Sequence, residues 1–319
     1  LGRMARKLRI QYPGALYHVI NRGNYRRDLF ENVGAAQAFL RVLQETKDRY
    51  GWIVHAYVLM RNHYHLAIET PQPTLVAGMH WLQSTLATRF NRLRQENGHL
   101  FQGRYQAILI ENAPALVRVV DYIQLNPVRA GIVEADKVKT YRWSSLPGIL
   151  KGTEAIAGAA TWLHALGLPD DTPGRLAYET RLVDLGQSPE RWAELGLVNL
   201  SKGYAIGTQG WRQSLAQAYG HLALHPGLQQ AEVQELREGA WSQALRTELK
   251  VLGRNPAQLA THPRKQPWKL ELARKLRTQT GAPIGWLAQH LKLGQPASLR
   301  SYLCRLRQSN DQPTTAFPE

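Results

Sequence analysis

Apolar and polar positions follow two rhythms over roughly the first 145 residues. Period-two runs rich in β-branched and aromatic residues predict strands at Ala15–Asn21, Trp52–Leu59, His63–Glu69 and Tyr105–Ile110. The first follows Pro13-Gly14, a turn signal, and Met60-Arg61-Asn62 is short enough to close a hairpin between the second and third. Spacings of three and four predict helices at Asn32–Tyr50, where Ala36, Phe39, Leu40 and Leu43 share a face, and at Leu75–Gln95. A third helix spans Ala113–Asn126 and stops at Pro127. The order βαββαβ plus a helix predicts an α+β, ferredoxin-like domain over residues 1–148. One face of its sheet carries helices and the other is left for ligands or partners.

The pattern then changes. Tyr141–Gly167 is weakly periodic, and Arg175–Leu252 is mostly helical, with Gly/Pro breaks at Ser188-Pro189, Gly203, Gly207, Gly210 and His225-Pro226. This defines a mostly helical middle region, 149–260. Asn255–Pro267 is polar and proline-containing and reads as a linker. Beyond it, Trp268–Arg277 is a basic helix, and Ile284–Leu291 and Ala297–Leu306 flank a turn containing Gly294. That is a helix-turn-helix pattern in a C-terminal domain, 261–319.

Charge narrows the function. The 319 residues carry 40 Lys and Arg against 24 Asp and Glu, a formal charge of +16. This points to a polyanionic partner and away from an acidic solvating protein. The excess is concentrated: His262–Arg307 holds ten Lys and Arg and one acid, Glu271. On the second helix of the pair, Arg300 and Arg305 would face a DNA groove, with Lys292 before the turn. No apolar run approaches the ~20 residues needed to cross a bilayer, and mean hydropathy is −0.38. Nor does a signal-type apolar stretch follow the basic Leu1–Arg9. The single cysteine, Cys304, excludes a disulfide framework or a cysteine zinc cluster within one chain. The expected setting is a reducing cytoplasm.

Two short strings carry chemistry. In Arg61-Asn62-His63-Tyr64-His65-Leu66, strand parity puts His63 and His65 on one face, about 7 Å apart, where two imidazoles can converge on a divalent metal. Tyr64 between them faces the other way, into the core. In Asp121-Tyr122-Ile123-Gln124-Leu125-Asn126, Tyr122 and Asn126 lie one helical turn apart and point the same way. The plain alternatives are surface histidines, a packing tyrosine and an asparagine helix cap. Read together, the strings describe a tyrosine hydroxyl, a poor nucleophile at its ordinary pKa near 10, beside a cation able to polarise a phosphate. Nitrogen-plus-oxygen ligation suits zinc more obviously than Mg²⁺ or Mn²⁺, but phosphate and waters complete an oxygen-rich octahedron for either of the latter. His18, on the first strand, could neighbour the pair. Tyr25, Arg26 and Arg27, in a loop after that strand, could stack on bases or grip phosphates.

These residues resemble the HUH single-strand transposases with one catalytic tyrosine, and more narrowly the REP-associated tyrosine transposases. The resemblance rests on His63-Tyr64-His65, with Tyr as the middle residue, and on Tyr122 followed by Asn126 to Gly131 (NPVRAG). It extends to Tyr12–Asn24 (YPGALYHVINRGN) and Gly103–Ile110 (GRYQAILI), and covers about residues 9–148. Gly203–Gly207 (GYAIG) and the terminal helix pair resemble the longer members. The resemblance implies Tyr122 as nucleophile, His63 and His65 as metal ligands, and Asn126 as a third metal-facing group. It further implies cleavage and rejoining of single-stranded DNA beside palindromic hairpins through a 5′-phosphotyrosine. The implied setting is a nucleoid-associated bacterial protein, acting as a monomer or as a homodimer that exchanges the tyrosine helix. A hairpin-binding regulator without catalysis and a nuclease using water stay open.

Overall fold

The computed structural model describes residues 9–223, 230–264 and 266–310. By contacts the chain divides into two compact units, Leu1–Arg212 with Gln229–Val233, and Gln213–Leu228 with Gln234–Glu319. The division falls inside the helical stretch 149–260.

The first unit is built on an antiparallel core sheet of β1 (Ala15–Arg22), β2 (Ile53–Met60), β3 (His63–Thr70) and β4 (Gln106–Ile110). The order β2-β3-β1-β4, with a short parallel β5 (Ala205–Ile206) added beside β4, is the ferredoxin-like arrangement. Helix α1 (Val33–Tyr50) starts where the Asn32 side chain accepts from the Ala35 N–H and ends at Gly51 in the left-handed region. It packs against α2 (Leu75–Arg94). The Tyr64 ring lies 4.7 Å from that of Phe39 on α1, so Tyr64 faces the core, as parity predicts.

Helix α3 (Ala113–Gln124) packs on β2 and β3. It ends two residues earlier than expected. Pro127 has no N–H to donate, and the chain turns at Leu125 before a single further turn, α4 (Asn126–Arg129).

The weakly patterned stretch after α4 covers what would be an open edge. Leu59 N–H donates to the Trp143 carbonyl at 2.8 Å, Ser145 N–H to Tyr57 at 3.0 Å and Gly158 N–H to Val54 at 2.9 Å, so β2 has backbone partners on its outer side. The opposite edge is taken by β5. Residues 141–206 thus finish the sheet at both ends.

The second unit is helical. Trp241, Leu245 and Leu249 from helix Gln230–Val251 share one core with Leu276, Leu287 and Leu299. The expected linker is a correction. It holds a short helix, Gln258–Thr261, whose Leu259 is buried, and the buried Lys269 ammonium donates to the carbonyls of Leu259 and of His262 just after the helix. Apolar Leu259 and open helix-end carbonyls give this stretch reason to pack. Helices Ile284–His290 and Pro296–Asn310 follow, in contact across the Gly294 turn. No helix among the described residues is long and apolar enough to cross a membrane.

Candidate active site

Register decides which side chains share the open face of the sheet. His63 pairs with Arg22, and His65 with Ile20, so both histidines lie on one face together with His18. The rings of His63 and His65 are 5.1 Å apart between centroids, as are those of His18 and His65. His18 is fully buried and bridges two groups: its Nδ1 lies 2.9 Å from the Leu200 carbonyl and its Nε2 2.9 Å from His65 Nδ1. His63 Nδ1 lies 2.9 Å from Asn62 Oδ1.

Helix α3 brings Tyr122 to this cluster. Asn112 caps its start by accepting from Ala115 N–H, and Leu116, Val119, Val120 and Ile123 are buried around it. The Tyr122 ring stands edge-on to both His18 and His65, 5.7 Å from each. Its other partner is Arg129, whose guanidinium lies 4.7 Å from the Tyr122 ring and 4.7 Å from that of Trp192, while donating to the Leu197 carbonyl at 3.2 Å. Asn126 is buried just beyond, and its Nδ2 donates to the Tyr122 carbonyl at 2.8 Å. The amide thus links α4 back to the tyrosine-bearing helix, and its Oδ1 makes no hydrogen bond among the described residues.

The family model described as "Transposase IS200 like" matches residues 11–126, from just before β1 through to Asn126. Residues 11–126 are thus similar to IS200-like transposases. Solved structures similar to this chain include a REP-associated tyrosine transposase bound to a REP hairpin. It is 20% identical over 49% of this chain and 92% of that one, with a TM-score of 0.41. Another is a candidate transposase from Deinococcus radiodurans, 20% identical over 40% of this chain and 92% of that one, with a TM-score of 0.27. No curated protein matches the chain.

Burial keeps His18, His63 and His65 neutral. Desolvation pushes His18 down to about 4. The same cause, aided by Arg22, pushes His63 to about 4. His65 goes well below its ordinary value through burial and then its histidine neighbours. Behind α3, Asp121 is buried, and its carboxylate accepts from Arg181 at 2.8 Å and the Tyr178 hydroxyl at 3.1 Å. Burial pushes the Asp121 carboxyl up, and Arg181 opposes that.

Around this site, the loop after β1 presents Tyr25 at 92% exposure. Tyr25 and Arg26 both have positive φ, 52° and 58°. The Arg26 side chain is exposed, but Arg27 is ion-paired with Glu96 at 2.7 Å. In the second unit Lys292 and Arg300 are both exposed. The Arg305 side chain lies outside the described residues. Several charges of the basic tail have internal partners: Lys269 is enclosed, Lys275 pairs with Glu248 and Arg274 with Glu271. Arg264, Arg277, Lys292 and Arg300 have none among the described residues.

Sequence reasoning missed three contributors to this arrangement. Arg129 stands seven residues after Tyr122, two helical turns, a signal that Pro127 obscured. Asp121 was legible as a charge inside an apolar helix, though Arg181, 60 residues on, was not. Nothing local marks Leu200 as the partner of His18.

Proposed function

We propose that the first unit is a transposase domain of the REP-associated kind, cleaving and rejoining single-stranded DNA beside a palindromic hairpin with Tyr122 as nucleophile. The carrying observation is the Tyr122 ring standing 5.7 Å from both His18 and His65 of its own chain. The narrower kinship draws on the motif strings around His63, Tyr122 and Gly203–Gly207. One copy brings these groups together, which favours a monomer that works in cis.

His63 and His65 would hold a Mg²⁺ or Mn²⁺ ion, with the Asn126 amide oxygen as a further donor. The donor set fits such an ion: two neutral imidazoles with unbonded Nε2 atoms, an unbonded amide oxygen, and DNA oxygens to complete the shell. No group of three or more His, Cys, Asp or Glu among the described residues could hold a metal. A bound ion would polarise a non-bridging phosphate oxygen and stabilise the departing 3′-oxygen. The Tyr122 oxygen bonds to phosphorus as the bond to the 3′-oxygen breaks. The phenol proton passes to solvent, and the 3′-oxygen takes one up. The 5′-phosphotyrosine keeps the phosphodiester energy, so an incoming 3′-hydroxyl can reverse the step. Arg129 and Trp192 hold the phenol ring in place.

Tyr25 would stack on an unpaired base and Arg26 would contact a phosphate, with Arg27 joining only by leaving Glu96. Lys292, Arg300 and Arg305, on the helix-turn-helix, would grip the hairpin or its flanks. That work lies on DNA in a bacterial cytoplasm.

The test uses a labelled hairpin with single-stranded flanks, incubated with Mg²⁺ or Mn²⁺ and then denatured. A covalent adduct that disappears in Tyr122→Phe supports the proposal. Free ends persisting in that variant would instead mean water is the nucleophile. Binding without cleavage would leave a hairpin-binding regulator.

A further inference from the structure

The hydrogen bonds behind the two histidines have a direction that the atoms themselves fix. A carbonyl oxygen only accepts, so the contact between His18 Nδ1 and the Leu200 oxygen at 2.9 Å requires the His18 proton on Nδ1. A neutral His18 then has a lone pair on Nε2, and the 2.9 Å contact to His65 is a bond donated by His65 Nδ1–H. The reverse arrangement would need His18 to carry both protons, as a fully buried cation with no acidic partner among the described residues.

The same logic runs at the neighbouring strand position by a different route. Asn62 Nδ2 donates to the Arg26 carbonyl at 3.2 Å, which fixes how its amide is turned. Its Oδ1 therefore faces His63 and accepts from His63 Nδ1–H at 2.9 Å. In each histidine Nδ1 is used as a donor. In His63 and His65, Nε2 makes no hydrogen bond among the described residues.

We infer that His18 and Asn62 are positioning residues that hold His65 and His63 in the Nδ1–H tautomer, so that both imidazoles offer the Nε2 lone pair on the shared face. This rests on the metal reading above only for its purpose, since the tautomers exist without metal. An imidazole in water favours the opposite, Nε2–H form, so leaving the ring unassisted would place a proton where a ligand lone pair is needed. The relay also ties the site to residues far along the chain. The Leu200 carbonyl lies 182 residues from His18, in the segment just before β5.

Side-chain ¹⁵N–¹H correlation spectra of the full, metal-free chain at neutral pH test this directly. The expected result is Nδ1–H at both His63 and His65, and an Nε2–H signal at His65 in the wild type would overturn the relay. In His18→Leu, His65 should move toward Nε2–H, whereas His18→Gln, which keeps one donor and one acceptor, should restore Nδ1–H. An unmoved His65 tautomer in folded His18→Leu overturns the role of His18. If that variant does not fold, the wild-type and His18→Gln spectra decide. Mn²⁺ titration followed by water-proton relaxation adds a second readout. Affinity should fall about 10–100-fold in His18→Leu and recover in His18→Gln, with metal-free hairpin binding unchanged. Wild-type protein with both Nδ1–H tautomers but no Mn²⁺ binding would overturn the metal reading and leave the relay standing.

Discussion

Asp121 and Tyr122, consecutive on α3, have opposite partners. The Asp121 carboxylate accepts from Arg181 and Tyr178, while the Tyr122 ring meets His18 and His65 on the sheet. One helix is thereby fixed from behind by an ion pair and offers its phenol in front. Removing Arg181 leaves a buried carboxylate without its counter-charge. Arg181→Met should lower unfolding free energy by about 2–4 kcal/mol, below the ~3–5 of a fully enclosed pair because the guanidinium is partly solvated. Urea denaturation checks this, and an unchanged midpoint would show that the pair does not hold the helix.

The Tyr122 hydroxyl makes no hydrogen bond among the described residues. Tyr122→Phe should therefore leave stability within about 0.5 kcal/mol of wild type while abolishing any DNA adduct. Thermal unfolding beside the adduct assay separates the two effects. A large loss of stability would mean the hydroxyl has a structural partner.

His63→Ala and His65→Ala should abolish metal-dependent cleavage and spare most hairpin binding, because phosphate grip comes mainly from Lys and Arg. Gel-shift affinity and cleavage measured on the same variants test the split. Equal losses in both would argue that the histidines touch DNA instead.

Acid should destabilise the metal-free protein through its buried imidazoles. His18 and His63 titrate near 4 in the folded state against about 6.5 unfolded. The unfolded chain therefore binds more protons between those values, and folding free energy falls as pH drops from about 6.5 toward 4, with these groups adding no slope above that window. Denaturant midpoints across pH would show it. A flat profile through the window would place these rings in water.

Lys292→Gln with Arg300→Gln should weaken hairpin binding across sequences and reduce the slope of log affinity against log salt by about 1 per lost phosphate contact. Lys269→Gln should instead lower stability, since its ammonium is spent on the Leu259 and His262 carbonyls. Salt titrations of the double variant and melting of the single one test the distinction. Matching salt slopes in double variant and wild type would remove this face from the DNA contact.

Much of the site was legible in the sequence because it depends on local periodicity. Strand parity puts His63 and His65 together and sends Tyr64 to the core, and helical spacing sets Asn126 one turn beyond Tyr122. Backbone dihedrals fix those directions whatever the rest of the chain does. The basic tail was overread for a related reason: composition counts charges, and Lys269, Arg274 and Lys275 proved to have partners inside their own unit.

What only the tertiary structure decided is which of these faces meet. The choice of sheet face for α3, the Leu200 carbonyl behind His18 and the Arg181 guanidinium behind Asp121 all join residues far apart in the chain. Such contacts form because burial of apolar surface brings distant segments together and each enclosed polar group must then find a partner. No local pattern in the chain encodes where that partner comes from.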